Sequence, residues 1–423
     1  MPSSVLSYAD ASRVLLEHAA RIHPPQIETG VPGTRSFPVL GWESAPLLAS
    51  LDRTLAQPVI ADRDQPPFNR STRDGFACRS SDLAALQPLT IIGRIRAGEA
   101  PDAMLPAAPL HPGQAIEIMT GAPVPGGADC VLMAEHASVI GQRVTPARTL
   151  APGENIVPAG AEARSGSTLI PPGTRIGPQH IALAAACGYE TLPVCAKPRV
   201  AILATGDELV PLNQQPLPHQ IRNSNSYSLA AQVARQSAIP VVHPAVPDSL
   251  EETEAAIRSA LDCDLLLLSG GVSMGQYDFV EQALANLNAE FFFTGARIQP
   301  GKPIVFGRLP EHNLYFFGLP GNPVSTLVTF ALFAAPLLAA LSGRRHLGPE
   351  FAQATLAQPV AAKPNLTRFL PAHIESTAIE STIRPISWQG SGDQSAAAKT
   401  NCFLVAPENT PLNPGDTVTF LRL

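Results

Sequence analysis

Four short stretches combine glycine with residue types that hold anions or cations. They are "AILATGDEL" (Ala201 to Leu209), "LLLLSGGVSMGQYDFV" (Leu265 to Val280), "QPGKPIVFG" (Gln299 to Gly307) and "GLPGNPVSTL" (Gly318 to Leu327). Asp207, Glu208 and Asp278 offer the hard oxygen ligands that Mg2+ prefers. Lys302 and Ser325, with backbone amides at helix starts, suit phosphate or another oxyanion. Thr205, Ser269 and Ser273 add hydroxyls, and Gly206, Gly270, Gly271 and Gly321 let the backbone approach a ligand closely, with Pro320 and Asn322 shaping the last turn. Each stretch alone also reads as a tight turn with a helix cap, Asp278 included. Four of them together are harder to explain that way.

The elements around these stretches predict where they sit. From "RVAILAT" onward the chain alternates strand and helix patterns: "SYSLAAQVARQSA", "IPVVHPAV", "SLEETEAAIRSAL", "DLLLLS" and "DFVEQALANL". That alternation predicts a three-layer α/β domain with a mainly parallel sheet over about 196–343. In such sheets ligands sit beyond the carboxyl ends of the strands, and all four stretches follow apolar runs or open helices there. The preceding region, 1–195, carries a β-rich part at about 61–165, with runs such as "LTIIGRIRAG" and "DCVLMAEHASVI" between turn clusters. Residues 344–423 return to short strands, predicting a small β-barrel or sandwich.

Composition narrows the class. A chain of 423 residues is too long for one core, and its 44 prolines mean many turns. The net charge of -6 excludes nucleic-acid binding through a global basic field, so anionic ligands need local groups. Six scattered cysteines form no paired spacing and read as reduced, buried thiols. The N-terminal stretch "MPSSVLSYADASRVLLEHAARI" (Met1 to Ile22) has acids within its apolar pattern and a Ser7 to Asp10 capping spacing, so it reads as an amphipathic helix rather than a signal peptide. "TLVTFALFAAPLLAALSG" (Thr326 to Gly343) is charge-free but interrupted by Pro336, and reads as a buried helix rather than a membrane span. The expected location is the cytoplasm.

At these residues the chain resembles the molybdopterin molybdenumtransferases, or molybdenum insertases, which include the E-domain of gephyrin. The resemblance is carried in order by "PPFNRSTRDGFACR" (Pro66 to Arg79), "IMTGAPVPGGADCVLMAE" (Ile118 to Glu135), "PGENI" (Pro152 to Ile156), "ATGDEL", "IRNSNSYSL" (Ile221 to Leu229), "SGGVSMGQYDFV", "PGKP" and "GLPGNPVS". It covers nearly the whole chain. It implies an elongated, β-rich N-terminal linker and dimerisation region, a central molybdopterin-binding domain and a C-terminal β-barrel. It also implies a reaction: Mg2+-assisted transfer of molybdenum from molybdate to the dithiolene of adenylylated molybdopterin, releasing AMP. Asp74 and Thr120 match positions the family associates with activity, beside Asp278 and Lys302, and Arg368 with the "QGSGDQS" loop is expected to close over the pterin nucleotide.

Implied partners are a second copy of the chain, the upstream molybdopterin adenylyltransferase and downstream molybdoenzyme chaperones, with no nucleic acid and no membrane. Three positions depart from the family pattern. Asn223 stands where an aspartate is common, Gln299 where a lysine is usual before "PGKP", and Glu162 where an aspartate is typical. Two other readings stay open at this stage: a non-catalytic dimeric scaffold of the same fold, and an enzyme that inserts tungstate.

Overall fold

The computed structural model describes residues 5–22, 40–99, 109–271 and 279–423. The chain forms two compact units. One comprises Gln57–Pro172 and Gly177–Glu190; the other comprises Met1–Ala56, Gly173–Ile176 and Thr191–Leu423.

The first of these is built on a six-stranded sheet in the order Cys130–Met133, Gly75–Cys78, Gln114–Ile118, Leu89–Ile95, Arg143–Pro146 and Ala137–Ile140. Phe76, Cys78, Leu89, Ala115, Leu132 and Val144 fill one cluster; Ala77, Ile95, Ile116, Ile118 and Val131 fill another. Alternating side chains thus bury both faces, as period-two strands require. Two short ladders, Arg70–Ser71 with Ile156–Val157 and Val59–Ile60 with Thr168–Ile170, and the helix Pro178–Ala186 complete the unit.

The other unit carries the central sheet, ordered Ile239–Val242, Arg199–Ala204, Leu265–Ser269, Leu314–Leu319, Val305–Leu309 and Glu290–Phe293. The first four strands pair in parallel and the last two pairings are antiparallel, so the sheet is mixed and Val305–Leu309 runs against the other five strands. Its strands read as unbroken apolar runs because both faces are covered. Val200, Ile202, Leu265 and Leu267 face Ala11, Leu15, Leu229, Val233 and Val328. Ala201, Leu203, Leu266 and Leu268 face Ile257, Val280, Ala283 and Leu284 on the opposite side. The N-terminal helix Tyr8–Ile22 therefore packs on the central sheet, and Ser7 caps it by accepting from the Asp10 amide at 3.0 Å.

The apolar stretch after "GLPGN" is a helical run from Pro323 to Leu341 that lies mostly inside the protein. Pro336 is accommodated because Phe330–Ala334 widens into a π-helical turn just before it, where a missing N–H costs less.

The C-terminal strands Phe351–Leu356, Thr367–Ser376, Ser381–Pro385, Cys402–Ala406 and Thr417–Arg422 form a closed barrel. Closure comes from Thr367–Ser376, which pairs with both Ser381–Pro385 and Cys402–Ala406. Ile298–Gln299 adds a short parallel ladder at the start of Thr367–Ser376, setting Gln299 opposite Arg368.

Candidate active site

A cavity of about 890 Å³ opens at the carboxyl ends of the parallel strands Arg199–Ala204, Leu265–Ser269 and Leu314–Leu319. Thr205, Gly206, Glu208, Ser269, Gly270, Gly271, Pro320, Gly321 and Asn322 all line it, so three of the four glycine-bearing stretches converge as expected. The fourth contributes Pro303.

Backbone bonds hold these strand ends together. The Thr205 amide donates to Ser269 O at 3.0 Å and the Gly270 amide to Leu319 O at 3.2 Å. Gly270 has φ +94°, and a Cβ there would lie 2.6 Å from Thr205 O, so no side chain fits. This close approach buries Thr205, and its Oγ1 has no hydrogen-bonding partner among the described residues. An unpaired buried hydroxyl costs free energy unless a ligand or water completes it.

Among the described residues the charged groups of the wall are Glu208, Asp248 and Arg222. Glu208 folds over Gly206, with Oε1 2.8 Å from where a Gly206 Cβ would stand. Arg222 is oriented by donating from Nε to Leu212 O at 3.0 Å. Asp207 lies off the wall: its Oδ1 accepts from the Asp248 amide at 3.1 Å, tying the loop after Ala204 to the one before helix Leu250–Ser259. Asp278 and Ser273 fall outside the described residues. Among the described residues no three His, Cys, Asp or Glu side chains gather as a metal-holding group.

Ser325 is buried and off the wall, and the Val324 amide at that helix start already donates to Ser391 O at 2.9 Å. Lys302 is exposed and likewise off the wall. Arg368 is buried opposite Gln299, where its guanidinium donates to Ala361 O while Nε has no partner among the described residues, and burial holds it below its ordinary value. Lys363 donates to Gln299 Oε1 at 3.0 Å. A lysine from the barrel region thus stands at the neutral Gln299, which sequence reading did not find.

Asn223 lies on the wall, where its Oδ1 accepts from the Ser226 amide at 3.2 Å and its Nδ2 donates to Ser226 Oγ at 2.9 Å. The "QGSGDQS" loop reaches the cavity through Gly392 and Gln394.

In the other unit, Asp74 and Thr120 come together. Thr120 donates to Asp74 Oδ1 from its amide at 2.7 Å and from Oγ1 at 2.9 Å. Those two bonds, the amide's first, hold the carboxyl below the usual carboxylate range. Glu162, also in this unit, pairs with Arg70 at 2.8 Å.

The sequence matches three family descriptions in order: "MoeA N-terminal region (domain I and II)" over residues 6–188, "Probable molybdopterin binding domain" over 201–340, and "MoeA C-terminal region (domain IV)" over 353–423. The molybdopterin molybdenumtransferase of Synechococcus elongatus is 37% identical over 344 residues, covering 79% of this chain and 80% of that protein. The protein of the same name from Bacillus subtilis is 33% identical over 372 residues, 85% of each.

The chain belongs to the molybdopterin molybdenumtransferase family.

Its fold agrees with that membership. The crystal structure of the molybdopterin biosynthesis moeA protein from Pyrococcus horikoshii superposes with a TM-score of 0.77 at 26% identity, covering 99% of this chain and 100% of that one. Within this family of transferases, the residues matched as "Probable molybdopterin binding domain" include every strand end that borders the cavity.

Proposed function

We propose that the chain transfers molybdenum from molybdate to the dithiolene of adenylylated molybdopterin and releases AMP. The observation that carries this reading is the cavity itself: three strand ends, stripped of side chains at Gly206, Gly270 and Gly321, surround the unpartnered Thr205 hydroxyl. Such a wall offers close backbone approach and few fixed charges, which suits a phosphoanhydride arriving with its own cation. Mg2+ usually binds through one or two carboxylates plus substrate phosphates and water. The wall carboxylates Glu208 and Asp248 fit that modest demand, and Asp278 belongs to the same proposed set. Mg2+ would neutralise phosphate charge and stabilise the leaving AMP. Thr205, Ser269 and the loop amides would orient the phosphates, and Arg222 would attract them.

In the same reading, Lys302, Lys363 and Arg368 around the Gln299 turn receive the molybdate, and Asp74 with Thr120 contributes to activity as a preformed pair. We further place the active form as a homodimer in the cytoplasm. Trp42, Leu48 and Leu51 are exposed within ten residues, and six buried free thiols suit a reducing compartment.

Reconstitution with purified adenylylated molybdopterin, Mg2+ and either molybdate or tungstate tests the reaction directly. AMP release that requires Mg2+ and one of the two oxyanions is expected. A wild-type chain that releases no AMP with either would overturn it.

A further inference from the structure

In the turn Asn223–Ser224–Asn225 one side chain fixes the local helix start and the next two tie walls of the cavity together. Asn223 fixes the start of helix Asn225–Arg235 through its two bonds to Ser226. Ser224 Oγ accepts from Gln394 Nε2 at 2.6 Å, from the short helix Gln394–Ala397 that precedes the barrel strand Cys402–Ala406. Asn225 Nδ2 donates to Ser269 Oγ at 3.0 Å and to Gly321 O at 2.7 Å.

Gly321 O can only accept, so the Asn225 amide has one orientation, and both of its hydrogens are committed. The two groups it joins end different strands, Leu265–Ser269 and Leu314–Leu319. The loops after those strands are in contact, since a Cβ at Gly321 would stand 3.5 Å from Gly270 Cα. The Gly270 amide's bond to Leu319 O joins the strand ends, but beyond it, with glycine on both sides, little side-chain packing fixes the spacing of the loops.

We propose that Asn225 is a positioning residue that sets the separation of the Ser269–Gly271 and Pro320–Asn322 loops, and so the width of the cavity where its ligand must fit. The brace stands on the hydrogen bonds alone; its kinetic consequence rests on the proposed reaction. Asn225→Asp keeps the shape but sets an acceptor against Gly321 O. Ser269→Ala removes only one of the two bonds and serves as a milder variant.

Hydrogen–deuterium exchange on the full-length chain reads the brace without any substrate. Peptides spanning residues 265–271 and 318–322 should exchange on the order of tenfold faster in N225D, with a smaller rise in S269A, while the barrel strands stay unchanged. Unchanged exchange in both loops overturns the brace. In turnover, KM for adenylylated molybdopterin should rise on the order of tenfold in N225D with kcat within about twofold, the split expected when binding geometry is lost and chemistry is not. A fall in kcat at unchanged KM overturns the positioning role. A wild-type chain that turns over none of this substrate refutes the reaction, and the exchange result still decides the brace.

Discussion

Lys302 and Lys363 flank the Gln299 turn, and neither is among the salt-bridged residues of the described chain. Beside them, Arg368 is buried with one guanidinium nitrogen unpartnered. A dianion bound at this turn would meet cationic donors, and each would add to its attraction. A unit charge pair at 4 Å in water is worth ~1 kcal/mol, so Lys302→Ala should raise the half-saturating molybdate concentration about fivefold or more. Lys363→Ala should do the same, and neither should change KM for the adenylylated pterin. An unchanged molybdate dependence in both variants would remove this turn from the oxyanion site. Lys302 was legible in the sequence because it sits between glycine and proline. Lys363 was not: it lies 64 residues from its partner, in a lysine-proline stretch with no pattern of its own. Asp248 was hidden for a similar reason, since "PDSL" reads as a cap and Ser249 is indeed the N-cap of the helix that follows. Asn223 looked like a lost charge, yet it satisfies its own helix start. Ser226 Oγ could donate to a carboxylate as readily as it accepts from the amide, so the fold does not demand asparagine there.

At the scale of elements, the strands were legible wherever both faces are buried, because "RVAILA" and "LLLLS" have no polar side to confuse them. The helix Pro323–Leu341 was legible as buried, but not its π-helical turn, which depends on packing around Pro336. The N-terminal helix Tyr8–Ile22 docks through His18, whose ring stacks on Phe292 at 3.8 Å and lies edge-on to Phe306, with Nδ1 3.4 Å from the Tyr315 hydroxyl. Burial holds the imidazole below its ordinary value, and Arg21 and Arg308 add to the effect against Glu17 and Glu290. The folded chain therefore binds this proton less readily than the unfolded one. The contribution is full above about pH 6.5 and is lost as pH falls through the lower folded value. In urea denaturation the midpoint should drop between pH 8 and pH 5.5, and His18→Gln should make that drop smaller. An equal drop in the variant would show that His18 does not couple helix docking to pH.

For the whole molecule, the three classes of architecture were legible from texture: β-rich, then alternating, then β again. The pairing of Trp42–Pro46 with Thr191–Cys195 was not, because those strands are separated by an entire β unit in sequence. That pairing leaves Trp42 half-exposed and Leu48 81% exposed on the same segment. Sedimentation equilibrium at micromolar concentration should show a dimer, and Leu48→Glu should weaken it at least tenfold, as expected when a charge enters an apolar contact. A monomeric, fully active wild type would refute the dimer. The burial of all six cysteines has a separate consequence for a chain proposed to handle a dithiolene. Sulfur exchanges with sulfur through exposed thiolates, and this surface presents none, so a reduced or oxidised cargo meets no competing mixed disulfide on its carrier. By the same token the native protein should react only slowly with thiol-labelling reagents, which labelling of the folded chain checks. A single cysteine placed at an exposed position would then be the only labelled site, without removal of any native one.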